Sequence, residues 1–461
     1  MSAVAAGAGV PDEVRHAVSH VGPIGRLGYW TATHRRAVAI AWVVVVVALG
    51  VFAPRVEKAL SGAGWQAGGS ESVKARNLVQ TGFGGQSSYG LMVVLHSATQ
   101  TFGGKPFAAT AARVQEILQA DRRVASVQLP RRGLSVSRDG HTAVIRAGAN
   151  ADPTAMVAAA DSLKGKLQRA GAGGVDVRVT GASAMWSDFN TANRTAMMKS
   201  ELYSWPVTMA ILVLAFGALV AAGLPLMLTI LGLMASAGSL YLGTKVLDIS
   251  IWAMNFALMF ALALGIDYAL FVVYRFRAAL FGSEEPVEQA IEETMDTAGK
   301  AVLFSGVTVL ISLSAVMLVN SPAFRSMALG IMFSVIFVLA ATLTLLPAVL
   351  AKLGPKVDAL SLPWVHQGEH RSARFGAWGE WLWAHPWLPG IAAVGALVVL
   401  AIPVFSLDTG MPSIKVVPEG DGSRQAYALV QQAFGPGAPG QFQVVGPAAQ
   451  ASTAVAVLEK D

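Results

Sequence analysis

The sequence predicts an α-helical membrane protein that carries an α+β domain outside the membrane. Three observations lead to this fold class. Hydrophobic residues make up 54% of the 461 residues and charged residues only 13%, which is about half the share in soluble domains. The hydrophobic residues gather in charge-free runs that are long enough to cross a bilayer. One long segment between two such runs has instead the patterns of a water-soluble domain.

The composition also excludes several classes of protein. A mean hydropathy of +0.53 excludes a soluble enzyme, a disordered chain and a nucleic-acid-binding protein. The sequence contains no cysteine, which excludes disulfides, thiolate metal sites and cysteine nucleophiles. We therefore expect a protein that is not an enzyme and that needs no cofactor or metal.

Charge-free runs and their breaks divide the chain into seven membrane helices and the segments between them. We predict a cytoplasmic N-terminal segment at 1–36, membrane helix 1 at 37–53, an outer domain at 54–201, membrane helices 2–6 at 202–351 with a cytoplasmic helix at 284–299, a cytoplasmic linker at 352–385, membrane helix 7 at 386–407, and the start of a second outer domain at 408–461.

Two of the boundaries depend on short breaks within long apolar runs. Gly223-Leu224-Pro225 is expected to separate helices 2 and 3, and Asn320-Ser321-Pro322 to separate helices 5 and 6. Lys and Arg concentrate in alternate short loops, which places the N-terminus in the cytoplasm. The bias toward Ala, Gly and Val, with Arg favoured over Lys, indicates a bacterial gene. The inner charges are Arg35, Arg36, Arg275, Arg277, Lys300, Lys352, Lys356, Arg371 and Arg374.

The predicted outer domain has the element order β-α-β-β-α-β, which is typical of a ferredoxin-like fold. Strands are expected at Tyr89–His96, Val124–Leu129, Thr142–Arg146 and Val175–Val179. Helices are expected at Pro106–Ala120 and from Asp152-Pro153, a cap and first-turn proline, to near Gly171.

An internal repeat organises the whole sequence. The pattern Ala75-x-x-Leu78-Val79-Gln80-x-x-Phe83-Gly84 recurs from Ala426 to Gly435, and His34 recurs as His385 at the same offset. The repeating unit is therefore helix, outer domain and five helices. Since the second unit is incomplete, we expect a C-terminally truncated chain or, alternatively, a half-transporter that assembles with a second chain.

This organisation, together with Gly265-Ile266-Asp267-Tyr268-Ala269-Leu270-Phe271 followed by Tyr274-Arg275, resembles the MmpL family of the resistance-nodulation-division (RND) transporter superfamily. Pro347-Ala348 and His385-Pro386-Trp387 add to the resemblance. It implies an RND-type repeat with porter domains. It also implies a proton relay at Asp267 and Tyr268, with a second Asp-Tyr pair in a later span.

The residues themselves also support a role for Asp267. It is the only acid in its span and lies eight residues before Arg275, which is about 12 Å along a helix. A charged group at that depth costs on the order of 2.5–3.5 kcal/mol on insertion scales. Desolvation favours the neutral carboxyl, which can then take up and release protons, with Tyr268 as its predicted hydrogen-bond partner. The alternative is a structural acid tied to a polar helix neighbour.

Three hydroxyl side chains share one face of the fifth span: Ser305, Thr308 and Ser312. They either line the relay or bond back to their own helix carbonyls.

Three other features are expected to have structural roles or none in transport. The acidic helix Pro286–Gly299 is expected to face water or a partner. Small residues at Ala235, Gly238, Ser239 and Gly243 are expected to permit close helix packing. His366-x-x-Glu369-His370 matches a zinc-protease pattern, but Gly368 interrupts the helix that such a site needs.

We expect an exporter of lipids, glycolipids or hydrophobic secondary metabolites that is driven by proton influx. Its partners are the hydrophobic cargo, protons and the membrane, without nucleic acid, and it is a monomer or a trimer. The alternative is a protein that does not pump: a receptor of the sterol-sensing type or a scaffold for envelope assembly.

Overall fold

A computed structural model of the chain describes residues 21–60, 69–247, 249–282, 286–362, 373–407, 410, 413–440 and 444–458. Within these ranges the protein is mostly helical and has one small sheet. The zinc-protease-like pattern at His366–His370 lies outside the described residues.

The N-terminal half contains the outer domain. Its elements are α1 (Pro23–Thr33), α2 (Arg35–Gly50), α3 (Ala53–Ala59), α4 (Glu71–Gly82), β1 (Leu91–His96), α5 (Lys105–Gln119), β2 (Val124–Gln128), β3 (Thr142–Ala149), α6 (Pro153–Arg169) and β4 (Asp176–Thr180).

Helices dominate the rest of the chain. They are α7 (Ala182–Phe216), α8 (Leu219–Gly243), α9 (Trp252–Gly282), α10 (Val287–Thr294), α11 (Lys300–Val316), α12 (Pro322–Ala340), α13 (Leu346–Leu353), α14 (Ala373–Ala384), α15 (Trp387–Ala401), α16 (Gly422–Phe434) and α17 (Ala451–Leu458).

The predicted order β-α-β-β-α-β is confirmed. The strands form an antiparallel sheet in the order β2-β3-β1-β4, in which Val93 lies opposite Ile145 on β3 and Val179 on β4. The predicted cap of α6 is also present, because the Asp152 carboxylate accepts hydrogen bonds from the backbone N–H groups of Thr154 and Ala155 at 2.9 and 3.0 Å.

The two faces of the sheet have different partners. Alternate side chains of a strand point to opposite faces, and one face, which includes Val93 and Ile145, forms the buried core with α5 and α6. On the other face, Val94 and Val144 pack against Ala426 and Val430 of α16. The helix that follows the seventh predicted span thus lies on the sheet of the first outer domain.

Six helices among the described residues are long and apolar enough to cross a membrane. They are Arg35–Val56, Leu219–Gly243, Trp252–Phe281, Val287–Val316, Pro322–Asp358 and Trp387–Ser406. The remaining predicted span is the end of α7, whose charge-free part begins only at Leu202 and ends at Phe216. This part is shorter than the roughly 20 residues of a full span. The preceding part of α7, from Ala182 onward, continues from the outer domain and carries charged residues.

The predicted break between helices 2 and 3 is wrong by about two turns. Gly217 ends α7 with a positive φ of 70°, a conformation that glycine adopts without strain. Gly223 and Pro225 lie inside α8. Pro225 is the seventh residue of α8; it removes one backbone hydrogen bond, and the helix continues through it.

The predicted cytoplasmic helix at 284–299 is not separate from the fifth span. A π-helical segment, Met295–Gly299, joins α10 directly to α11. A second π-helical segment, Ala341–Leu345, joins α12 to α13. Both segments are bulges within continuous helices, a feature that hydropathy does not reveal.

The small residues of α8 permit close packing, as predicted. A Cβ atom at Gly238 would overlap the backbone of Leu49 in the first membrane helix, and one at Gly243 would lie 2.9 Å from Ile249. These contacts bring α8 against α2 and against the segment that precedes α9.

Candidate proton-relay site

The Gly265-Ile266-Asp267-Tyr268 motif lies near the middle of α9, against α8. A Cβ atom at Gly265 would overlap the hydroxyl of Thr229 on α8. Thr229 is buried and donates its own hydroxyl to the Pro225 carbonyl at 3.0 Å. The glycine of the motif therefore brings the two helices into contact two residues before the acid.

Asp267 and Tyr268 point to different surroundings. Tyr268 is 6% exposed and is part of the hydrophobic core that the packed helices form. Its hydroxyl lies 3.3 Å from Oγ of Ser305 on α11. The predicted hydrogen bond between Tyr268 and Asp267 is therefore absent here, since neighbouring residues on a helix are separated by about 100° around its axis.

Asp267 lies on an exposed face of α9. No hydrogen bond or ion pair joins its carboxyl to another residue in the described part of the chain. The same face carries Leu270, Phe271 and Tyr274, which are 39%, 49% and 53% exposed. The acid thus sits within an apolar surface that no described helix covers.

The three hydroxyls on α11 divide between the two predicted roles. Ser305 contacts Tyr268, which places it beside the motif. Thr308 and Ser312 donate to the carbonyls of Phe304 and Thr308 at 2.8 and 2.9 Å. These two hydroxyls therefore satisfy their own helix, which is the alternative given above.

Sequence reasoning missed a buried ion pair at the C-terminal end of α9. Arg277 Nε lies 2.8 Å from Asp358 Oδ1, and the two side chains are only 8% and 5% exposed. The Nε–H does not point at the carboxylate, so this is a charge–charge contact and not a hydrogen bond. Arg277 also donates from Nη1 to the Phe216 carbonyl at 2.8 Å.

Backbone hydrogen bonds reinforce this ion pair. Leu219 N–H donates to the Leu360 carbonyl at 3.3 Å, and Leu362 N–H donates to the Gly217 carbonyl at 2.8 Å. The end of α9, the α7–α8 turn and the segment after α13 are thereby joined. Arg277 was counted as an inner surface charge, because a single arginine after an apolar run carries no sign of a partner 81 residues later.

The acidic helix α10 is neither fully solvated nor free. Asp296, just beyond it, accepts a hydrogen bond from Gly22 N–H at 2.7 Å and pairs with Lys300 at 2.8 Å. This region therefore packs against α1 of the same chain, and docking of a separate partner stays a prediction. Glu293 remains exposed and pairs with Arg275 at 2.8 Å.

No three His, Asp or Glu side chains come together as a metal site within the described residues. His141 Nδ1 lies 2.9 Å from the Ser97 carbonyl, and His96 Nδ1 lies 3.0 Å from the Thr142 hydroxyl. Each histidine of the outer domain is thus held by a local contact.

A profile of the MMPL family matches residues 64–385, which include the whole motif. The chain belongs to the MMPL family. The resemblance to the MmpL transporters of the RND superfamily is therefore confirmed, and the chain is a multi-pass membrane protein of a transporter family.

Three relatives illustrate the match. Membrane protein YdfJ of Bacillus subtilis is 29% identical over 92% of this chain and 58% of its own length. The mycolic acid-containing lipids exporter MmpL11 of Mycolicibacterium smegmatis is 33% identical over 59% of this chain and 29% of its own. The heme uptake protein MmpL11 of Mycobacterium tuberculosis is 31% identical over 59% and 28%. The chain spans about half the length of the curated relatives that it matches, or less.

Proposed function

We propose that this MMPL chain is part of a transporter that uses the proton-motive force, in which Asp267 takes up and releases the proton. The observation that carries the proposal is the position of the carboxyl group. It is the only acid of a 30-residue apolar span, and no described residue supplies a counter-charge.

Protonation is the simplest way to keep this carboxyl in the membrane. An ionised carboxylate on an apolar face is costly, whereas the neutral acid is tolerated. A group that is neutral in one environment and ionised in another can carry protons between them. Tyr268, the residue after Asp267, and Ser305 on α11 supply a pair of hydroxyl groups. A proton could pass through this pair toward α11.

The bare face of α9 supports the presence of further helices around Asp267. The repeat at a constant offset of 351 residues pairs Trp30 with Trp381 and His34 with His385, in addition to the outer-domain pattern. We infer that a second helical unit completes an RND-type architecture and supplies the second half of the relay. The relatives are correspondingly longer than this chain.

Continuous elements connect the membrane to the outer domain. Helix α7 begins directly after β4 and runs to Gly217, where the Arg277–Asp358 pair holds its end. A change at the C-terminal end of α9 could therefore reach the outer domain through the continuous helix α7. We place the N-terminus in the cytoplasm of a bacterial inner membrane, with the outer domain on the opposite side.

Lipids are the cargo class that we propose. One relative is named an exporter of mycolic acid-containing lipids and another a heme uptake protein; both names describe bulky, largely apolar compounds. The exposed apolar faces of α9 and α15 would give such cargo access from the bilayer. Export and not import is the direction we propose.

The test compares cells that produce the wild type with cells that produce Asp267→Asn, which keeps the shape of the side chain but cannot ionise. We expect the variant to be made in normal amounts. We also expect it to lose the cell-surface lipids that the wild type exports, as measured by untargeted lipid analysis of surface and interior fractions. A protonophore should reproduce the loss.

The matched control is Glu293→Gln, which removes an exposed carboxylate of the same helical hairpin. It should export normally. Normal export by Asp267→Asn would contradict the proposed relay. Surface lipids that do not change when the protonophore is added would favour the receptor or scaffold alternative.

A further inference from the structure

A cavity of about 570 Å³ lies in the outer domain, where α4, the start of β1 and α16 meet. Its walls are largely apolar and include Val79, Leu91, Met92 and Met185. Its size falls within the range of about 300–1,000 Å³ that is typical of small-molecule sites. No part of the proposed proton relay touches it.

The charged side chains of this cavity have one sign. Arg76 from α4 and Arg146 from β3 line it, and its described lining contains no aspartate or glutamate. Arg146 lies opposite Met92 in the sheet register, so both belong to the face that α16 partly covers. The cavity thus combines positive charge with an apolar wall.

Two polar atoms at the cavity, Ser87 Oγ and Arg76 Nε, lack partners within the described chain. Ser87 is 7% exposed, and its Oγ makes no hydrogen bond. The buried Nε of Arg76 also makes none. A buried donor without an acceptor costs free energy, so these groups are suited to an acceptor that comes from a ligand.

Arg76 is oriented by an aromatic side chain. Its guanidinium carbon lies 5.2 Å from the centre of the Tyr89 ring. Burial raises the pKa of the Tyr89 hydroxyl despite the opposing effect of Arg76. The tyrosine is therefore neutral at physiological pH and leaves the positive charge of Arg76 available to an anion.

We propose that this cavity binds the oxyanion headgroup of an amphiphile, with the headgroup between Arg76, Arg146 and Ser87 and the apolar chain against Val79, Leu91 and Met185. Guanidinium groups pair with carboxylates and phosphates through two parallel hydrogen bonds. The inference deepens the proposed function, on which it rests only for the assignment of this ligand as cargo.

Binding is measured by calorimetry on the whole chain in phosphatidylcholine nanodiscs, with empty nanodiscs as the blank. The probes are decanoate, its neutral isostere decanamide and inorganic phosphate. We expect saturable binding of decanoate and binding of decanamide and phosphate that is weaker by about tenfold or more. Equal affinity for decanamide, or phosphate that binds as tightly as decanoate, would overturn the proposal.

The variants Arg76→Gln and Arg146→Gln should each weaken decanoate binding by about tenfold. Arg76→Lys and Arg146→Lys should weaken it less, because lysine keeps the positive charge but loses the two parallel hydrogen bonds. Arg132→Gln is the matched control, because Arg132 also lies over an aromatic ring, Phe102 at 5.8 Å, but outside the cavity. Unchanged binding by both cavity variants would contradict the assignment.

Two further variants keep the test independent of folding and of transport. Ser87→Ala removes only a hydroxyl and should weaken decanoate binding. This variant still tests the proposal if an arginine variant does not fold. Asp267→Asn should bind decanoate as the wild type does. Loss of export in that variant with unchanged binding would then separate the proton relay from the ligand site.

Discussion

At the scale of residues, the molecule places its isolated acid and its buried acid in opposite environments. Asp267 lies on an uncovered apolar face without a described partner, whereas Asp358 is 5% exposed and faces Arg277. The first is the group that we propose to exchange a proton. The second forms a buried ion pair that joins the end of α9 to the segment after α13.

Removing one partner of the Arg277–Asp358 pair should be costly. Asp358→Asn leaves Arg277 buried without a counter-charge, which we expect to destabilise the fold by about 3–5 kcal/mol. The measurement is the thermal unfolding midpoint in detergent. The exposed Arg275–Glu293 pair is the control, and Glu293→Gln should cost about 0–1 kcal/mol.

The double variant Arg277→Met/Asp358→Leu should recover much of the stability lost by Asp358→Asn, because a buried pair of charges can be replaced by apolar side chains. If Asp358→Asn unfolds no earlier than Glu293→Gln, the pair does not have the structural role assigned to it.

At the scale of elements, close approach between helices is set by single glycines. Gly238→Ala places a Cβ atom against the backbone of Leu49, which cannot move without displacing α2. We expect the free energy of unfolding to fall by about 1–3 kcal/mol in the same unfolding experiment. The first membrane helix should also pack less tightly.

Gly223→Ala is the internal control on the same helix. Gly223 meets no atom within 4 Å, so alanine should be neutral or should stabilise α8 by up to about 1 kcal/mol. Strong destabilisation would instead support a turn at Gly223, as the sequence alone suggested, and would contradict a continuous α8.

The docking of α16 on the outer domain should depend on pH. Asp188 of α7 accepts hydrogen bonds from Ser423 N–H at 2.9 Å and from Lys164 at 3.2 Å. Partial burial and the nearby Asp188 raise the pKa of Asp421, against the opposing effect of Lys164. The stabilising effect of protonated Asp421 is complete below its unfolded pKa and is lost as the pH rises through the raised value.

Asp421→Asn should therefore strengthen the contact of α16 at neutral pH and remove that part of its pH dependence. Asparagine is as good as aspartate at the first position before a helix, so the helix itself should not suffer. The measurement is hydrogen–deuterium exchange of the α16 amides. Faster exchange in the variant at neutral pH would show that the aspartate stabilises the contact.

Element types were more predictable than contacts. The order and the approximate bounds of the outer-domain elements followed from alternation, the helical period and the Asp152-Pro153 cap. The turn at Gly217 was missed because the apolar run continues through it, and the Gly223-Leu224-Pro225 signal was stronger. The π-helical joins and the partner of Arg277 were missed because they depend on packing between distant segments.

At the scale of the whole molecule, related segments of the two repeats have different surroundings. Val430 of α16 is buried on the sheet, and Leu429 beside it packs against the same cluster. Their counterparts on α4 are Val79, also buried, and Leu78, which is 57% exposed.

A second pair of related segments differs in the same way. The glycines of α1 contact Met295 and Asp296, whereas Gly376 and Gly379 of α14 meet no described atom within 4 Å. These uncovered surfaces fit the second helical unit that we propose around Asp267.

The measurement that tests the central claim most directly is the reaction of Asp267 with dicyclohexylcarbodiimide, a reagent that modifies protonated carboxyl groups in apolar surroundings. Labelling in native membranes, followed by peptide mass spectrometry, reports the protonation of this residue without knowledge of the cargo. We predict that the labelled fraction at Asp267 rises as the pH falls and that Asp358 stays unmodified. Labelling of Asp267 that does not change with pH, or that never occurs, would contradict its role as the proton carrier.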